Sequence, residues 1–143
     1  MKEYKATITI DAPLEKIWSI LINVSAWPKW DPNCDKVEGT VALGHKLKVF
    51  TKLSPGRAFP VKVARLEPSR LMVWTGGMPF GLFKGERTYA LAPKNGSGVV
   101  FTMHEIFSGP MLALIGKSIP DMTKAFQQFA LGLKACSERT TER

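Results

Sequence analysis

The 143-residue chain is 45% apolar and 22% charged, ordinary globular usage that excludes a low-complexity polymer and allows roughly 70% of the unfolded surface to be buried. Basic residues outnumber acidic ones by 20 to 12, a formal charge of +8, and the two cysteines, Cys34 and Cys136, lack the spacing of a metal knot or a disulfide framework. The longest strongly apolar stretch, Pro110 to Gly116, falls far short of the roughly 20 residues that cross a bilayer, and the N-terminus lacks a signal-peptide core; a single cytoplasmic domain over residues 1–143 is therefore expected, with disorder confined to Ser137–Arg143.

Residues 4–10 alternate Tyr4, Ala6, Ile8 and Ile10 with Lys5, Thr7 and Thr9, the period of a half-buried strand. Pro13 suits a first helical position and Glu15 a helix N-terminus, while Leu14, Ile17, Trp18 and Leu21 recur at helical spacing. Asn23 and Ser25 stop that short helix, and Trp27-Pro28-Lys29-Trp30-Asp31-Pro32 makes a constrained aromatic link. Strands are then expected at 34–41, 45–53, 59–67, 70–76, 82–91 and 98–108, punctuated by glycine and proline turns and uninterrupted by a long helix, which makes an antiparallel meander. Beyond Gly109-Pro110, a helical stripe of Met122, Phe126, Phe129, Leu133 and Cys136 needs a partner, and the sheet is the only large apolar one.

Several chemistries are absent. Gly116-Lys117-Ser118 lacks the earlier glycine of a phosphate-binding loop, because Met111 stands there, and Gly76-Gly77 with Gly81 lie between strands instead of leading into a helix. His45 and His104 form no metal-binding or hydrolase pattern, so no metal, nucleotide or other cofactor is expected.

Alternation puts Val99, Phe101, Met103, Glu105 and Phe107 on one side of the last strand, and Phe83, Arg87, Tyr89 and Leu91 on one side of the preceding strand. For those sides to coincide, the turn between them cannot be a two-residue Asn95-Gly96 hairpin; a three- or five-residue loop is expected, with Arg87 opposite Met103 and diagonal to Glu105. Arg87 and Glu105 then either satisfy one another, or Glu105 stands alone as an acid with Arg87 free for a ligand. The many inward aromatics and methionines either pack against one another or line a hollow.

The order strand, short helices, six strands, long helix resembles the helix-grip fold of the START-like (SRPBCC) superfamily. Local similarity is to its polyketide cyclase/dehydrase branch, at Ile10-Asp11-Ala12-Pro13-Leu14-Glu15-Lys16-Ile17-Trp18, Trp27–Pro32, Leu71-Met72-Val73-Trp74, Glu105-Ile106-Phe107-Ser108-Gly109 and Gly132-Leu133-Lys134. The resemblance implies an α+β class: a curved antiparallel sheet of about seven strands wrapped around a long C-terminal helix, with one or two short helices after strand one. It also implies a hollow for a small hydrophobic, lipid-like or aromatic molecule, lined by Trp74, Phe83, Phe101, Met103, Phe107, Met122, Phe126 and Phe129.

Three functions follow. The first is a binder or carrier whose ligand enters near Trp27–Pro32, Arg57–Pro60 and Gly76–Leu82. A second is a cyclase/dehydratase-type enzyme, with Glu105 as general acid/base and Arg87 or Tyr89 polarising a carbonyl. The third is a basic-surface module: from Gly39 to Leu66 there are six basic residues (Lys46, Lys48, Lys52, Arg57, Lys62, Arg65) and no acid, a stripe suited to weak contact with an anionic membrane surface or to plain solvation. Nucleic acid is not expected, because the aromatics point away from the lysines, and the sequence is compatible with a monomer or a dimer.

Overall fold

A computed structural model describes residues 1–139. Seven strands form one antiparallel sheet: β1 (Lys2–Ile10), β2 (Cys34–Glu38), β3 (Lys46–Thr51), β4 (Ala58–Glu67), β5 (Leu71–Gly77), β6 (Lys84–Pro93) and β7 (Val99–Ser108). Their spatial order is β1-β7-β6-β5-β4-β3-β2, so five consecutive hairpins build the sheet from β2 to β7, and β1 closes the far edge beside β7. Bulges in β2, between Cys34 and Lys36, and in β4, between Val63 and Arg65, add local twist. The α+β helix-grip architecture expected from the sequence is present.

Pro13 precedes α1 (Leu14–Ile22), which buries Ile17, Trp18 and Leu21, and a 3-10 turn over Val24–Lys29 follows. The Trp27 indole N–H donates to the Leu21 carbonyl at 3.0 Å, tying that turn back onto α1. After β7 come a one-turn helix α2 (Leu112–Ile115) and α3 (Thr123–Ser137), which lies across the concave face. The buried stripe of α3 is Phe126, Phe129, Ala130, Leu133 and Ser137; Met122 and Cys136 sit at its margin, so the helix is rotated slightly from the stripe read in sequence. Gly132 sets how closely α3 approaches, since a β-carbon there would lie 2.0 Å from the Trp30 carbonyl oxygen. Of the tail expected to be disordered, Ser137 ends α3 and Glu138 accepts from the Asp11 backbone N–H at 2.8 Å, whereas 140–143 lie outside the described residues.

The β6–β7 connection has Pro93 paired with Val99 and Lys94 N–H donating to the Gly98 carbonyl, the longer loop that face-matching required. The register differs from expectation by two residues: Arg87 lies opposite Glu105 and Tyr89 opposite Met103. Alternation fixes which face a residue takes, but a slip of two residues leaves every face unchanged.

Candidate functional site

The concave side of the grip is aromatic. Trp27 stacks on Trp74 with centroids 5.3 Å apart, and meets the edge of Phe129 at 4.9 Å; Trp30 also meets Phe129 at 4.9 Å. Tyr89 packs against Trp74 at 5.0 Å, and Phe101 lies along Phe129 at 6.0 Å. Trp74, Phe101, Met103, Phe107, Phe126 and Phe129 are all buried, whereas Phe83 and Met122 are half-buried. These side chains pack into contact across the middle of the grip, with Trp27 as the central piece. The sequence marks Trp27–Pro32 as a link and an entry region but not as core, because a Pro-interrupted segment has neither helical nor strand periodicity to say which way its side chains face.

A polar cluster lies beside this aromatic centre. Arg87 Nη2 and Nε both donate to Glu105 Oε1, at 2.6 and 3.0 Å, and Nη1 reaches the Tyr89 hydroxyl at 3.4 Å. The Arg87 guanidinium lies 4.9 Å from the Phe126 ring, held between the sheet and α3. The two side chains retain 24% and 11% of their exposure, so the pair is reachable from one side and not sealed. Gly85 leaves room for it: a β-carbon there would come within 3.3 Å of Glu105 Oε2 and 3.1 Å of the Phe107 ring. Mutual pairing is thus the outcome for Arg87 and Glu105, and it makes Glu105 an acceptor and not a free acid.

Burial opposes the Arg87 charge, but the neighbouring Glu105 and Tyr89 outweigh it and hold the guanidinium above its ordinary pKa. Burial pushes the Tyr89 hydroxyl up to about 12, so it stays protonated at neutral pH. Asp31, at the end of the Trp27–Pro32 link, is a further member that the sequence reading did not assign. It is buried, its Oδ1 accepts the Asn33 backbone N–H at 3.1 Å, and burial raises its pKa against the lowering effects of that bond and of Arg87. Asn33 in turn donates to Gln128 on α3 at 2.7 Å, fixing the link to the helix. Two indole N–H groups, of Trp30 and Trp74, are buried without an acceptor among the described residues, an uncommon condition for a strong donor.

Among the described residues no group of His, Cys, Asp and Glu is arranged to hold a metal ion. Cys34 is buried, and burial pushes its thiol up to about 12, which makes it a poor nucleophile. His104, on the outer face, meets Glu3 at 2.9 Å. The basic residues of the 39–66 stretch divide: Lys46, Lys48 and Lys62 project from the outer face of β3 and β4, exposed and without an acidic partner among the described residues, while Lys52 pairs with Asp35 and Arg65 with Glu67. No helix among the described residues is long and apolar enough to cross a membrane.

Residues 1–138 match the model of a family described as polyketide cyclase / dehydrase and lipid transport. Among solved structures, a hypothetical protein of Helicobacter pylori superposes with a TM-score of 0.77 at 17% identity, covering 96% of this chain and 88% of that one. A START superfamily protein of Mycobacterium smegmatis gives 0.69 at 16% identity, with 97% and 99% coverage. Truncated norcoclaurine synthase of Thalictrum flavum gives 0.70 at 16% identity, with 98% and 95% coverage. No curated protein matches the sequence. At these identities the superpositions show the shared fold.

Proposed function

We infer that this chain, which belongs to the polyketide cyclase / dehydrase and lipid transport family, binds a small hydrophobic molecule carrying a hydrogen-bond acceptor between the sheet and α3. The observation that carries this reading is the pairing of an aromatic concave face with the unsatisfied, buried indole N–H of Trp74, next to Arg87 on the neighbouring strand. A wall of aromatic side chains with a few convergent polar groups is the usual composition of a small-molecule site. Apolar burial at roughly 25 cal/mol per Å² supplies the drive, and the ligand's acceptor receives the hydrogen bond that the Trp74 indole N–H otherwise leaves unmade.

Because the aromatic side chains meet across the grip, a ligand has to part them, with Trp27 and Trp30 moving with their link while Trp74 stays on β5. Intrinsic tryptophan fluorescence therefore reports occupancy. Native mass spectrometry of protein taken from its own host should retain a small molecule, and a fluorescent fatty acid should bind with a change in tryptophan emission. If neither the native spectrum nor titration with fatty acids and polycyclic aromatic ketones shows binding, this reading fails.

The polar cluster supports a second reading, a cyclase/dehydratase-type reaction in the same place. Paired with Arg87, Glu105 is set to accept a proton, with Arg87 and the protonated Tyr89 as donors to a developing oxyanion. Turnover of a poly-β-ketone substrate that survives Glu105→Gln would remove Glu105 from that role.

A further inference from the structure

The hairpins β3–β4 and β5–β6, the start of β1 and the segment after β7 all lie at one end of the sheet, because alternate turns of an antiparallel meander share an end. The β5–β6 loop at this end carries a feature that core packing does not explain. Phe80 is 99% exposed, and its backbone is left-handed, φ 60° and ψ 24°, a conformation that bulky side chains rarely take. The loop presents it on a fixed frame: Met78 N–H donates to the Phe83 carbonyl at 2.8 Å, Leu82 N–H to the Pro79 carbonyl at 3.3 Å, and Met111 N–H to the Leu82 carbonyl at 2.8 Å.

Phe80 is not alone. Met78 and Leu82 beside it are each 42% exposed, and Leu114, on the segment that hydrogen-bonds to Leu82, is 73% exposed. Single exposed apolar residues are normal on a protein surface, but these four, with Met1, Leu53 and Phe59 also exposed at the same end, make a patch that needs an occupant. Three cations lie at the same end: Lys117 is exposed with no acidic partner among the described residues, Lys2 reaches the Gly116 carbonyl at 3.0 Å with the exposed Asp121 within range of its charge, and Lys84 stands at the base of the loop, 3.6 Å from Glu86.

We propose that this end of the grip docks on an anionic lipid bilayer, with Phe80, Met78, Leu82 and Leu114 inserted among the acyl chains and Lys2, Lys84 and Lys117 at the headgroups. A protruding apolar tip inside a basic collar fits an interface that is apolar below and negatively charged above, and the charge of +8 favours approach to it. The outer-face lysines Lys46, Lys48 and Lys62 lack such a tip. The inference stands apart from the ligand reading, since neither requires the other.

The test is co-sedimentation with phosphatidylcholine vesicles, with and without phosphatidylglycerol, at low and high salt. The protein should sediment with the anionic vesicles at low salt and be released by salt. Phe80→Asn removes the apolar side chain from a residue that touches nothing, and asparagine tolerates the left-handed backbone; it should leave thermal unfolding unchanged and weaken vesicle binding about tenfold or more. Lys117→Ala should weaken binding about fivefold, while Lys46→Ala with Lys48→Ala should change it less. Failure to sediment at low salt, undiminished binding by Phe80→Asn, or a larger loss in the Lys46/Lys48 variant would each overturn the proposal. So would sedimentation velocity showing a dimer that Phe80→Asn dissociates, with no vesicle binding, since the patch would then belong to a second copy of the chain.

Discussion

Gly132→Ala distinguishes tertiary packing from local propensity by the sign of its effect. Alanine is favoured over glycine by about 1 kcal/mol in a helix interior. Here a β-carbon would sit 2.0 Å from the Trp30 carbonyl oxygen and 3.1 Å from its carbon, and separations under 3.0 Å do not occur without movement. The obstacle is backbone, so α3 has to retreat by about 1 Å. That retreat loosens the edge contact of Trp30 on Phe129, at 4.9 Å, and stretches the 2.7 Å bond from Asn33 to Gln128. Overpacking costs about 1–3 kcal/mol and a weakened hydrogen bond about 1 kcal/mol, so destabilisation of about 1–3 kcal/mol remains after the propensity gain. For a domain of this size the thermal midpoint should fall by roughly 4–10 °C, read by circular dichroism and checked by urea unfolding. Gly116→Ala is the control: its φ is −59° and the nearest atom to a β-carbon is a flexible Leu112 methyl at 3.4 Å, so it should be close to neutral. A Gly132→Ala midpoint equal to or above wild type would refute the packing argument.

Asp31→Asn should show a pH-dependent difference from wild type. Burial raises the folded-state pKa of Asp31, so its contribution to stability is full below the unfolded value and is lost as pH rises through the folded one. The variant lacks that loss, so its stability relative to wild type should improve as pH rises above about 4, the unfolded value, measured as urea midpoints; a gap that is flat or moves the other way refutes it. The chain has two tyrosines, and Tyr89 is pushed up to about 12. Its stabilising contribution is full below the unfolded value near 10 and is lost as pH rises toward 12, so Tyr89 should form tyrosinate in the folded protein only as pH approaches 12, read by absorbance in wild type against Tyr89→Phe. Ionisation of Tyr89 near pH 10 in the folded protein would contradict its burial.

What the sequence discloses follows from periodicity. The alternation in β1, β6 and β7 gives their inward faces, and the requirement that Arg87 and Glu105 share a face excludes a two-residue turn, as the loop after Pro93 bears out. Register is one step beyond that reach, because a two-residue slip preserves every face. In α3, Cys136 and Ser137 differ by only one helical position, and it is Ser137 that the helix buries. Asp31 and Trp27 are illegible for another reason. They lie in a link with no period, and their burial is set by α3 arriving from more than ninety residues away. Phe80 is the reverse case, an aromatic that composition would place inside and the loop geometry holds out.

The position of β1 at the sheet edge has a consequence for how the chain acquires its shape. From β2 to β7 each strand pairs with its immediate successor, so these six strands can assemble in the order of synthesis, closing only short loops. The first strand cannot join them. Its sole strand partner among the described residues is β7, with Ile10 against Val99 and Lys2 against Phe107, so residues 2–10 wait until nearly the whole sheet has left the ribosome. The edge of β7 stays open meanwhile, a template for pairing with another chain. Residues 2–10, made before every other strand of the sheet, are thus among the last to fold, and long-range closure of this kind is slow.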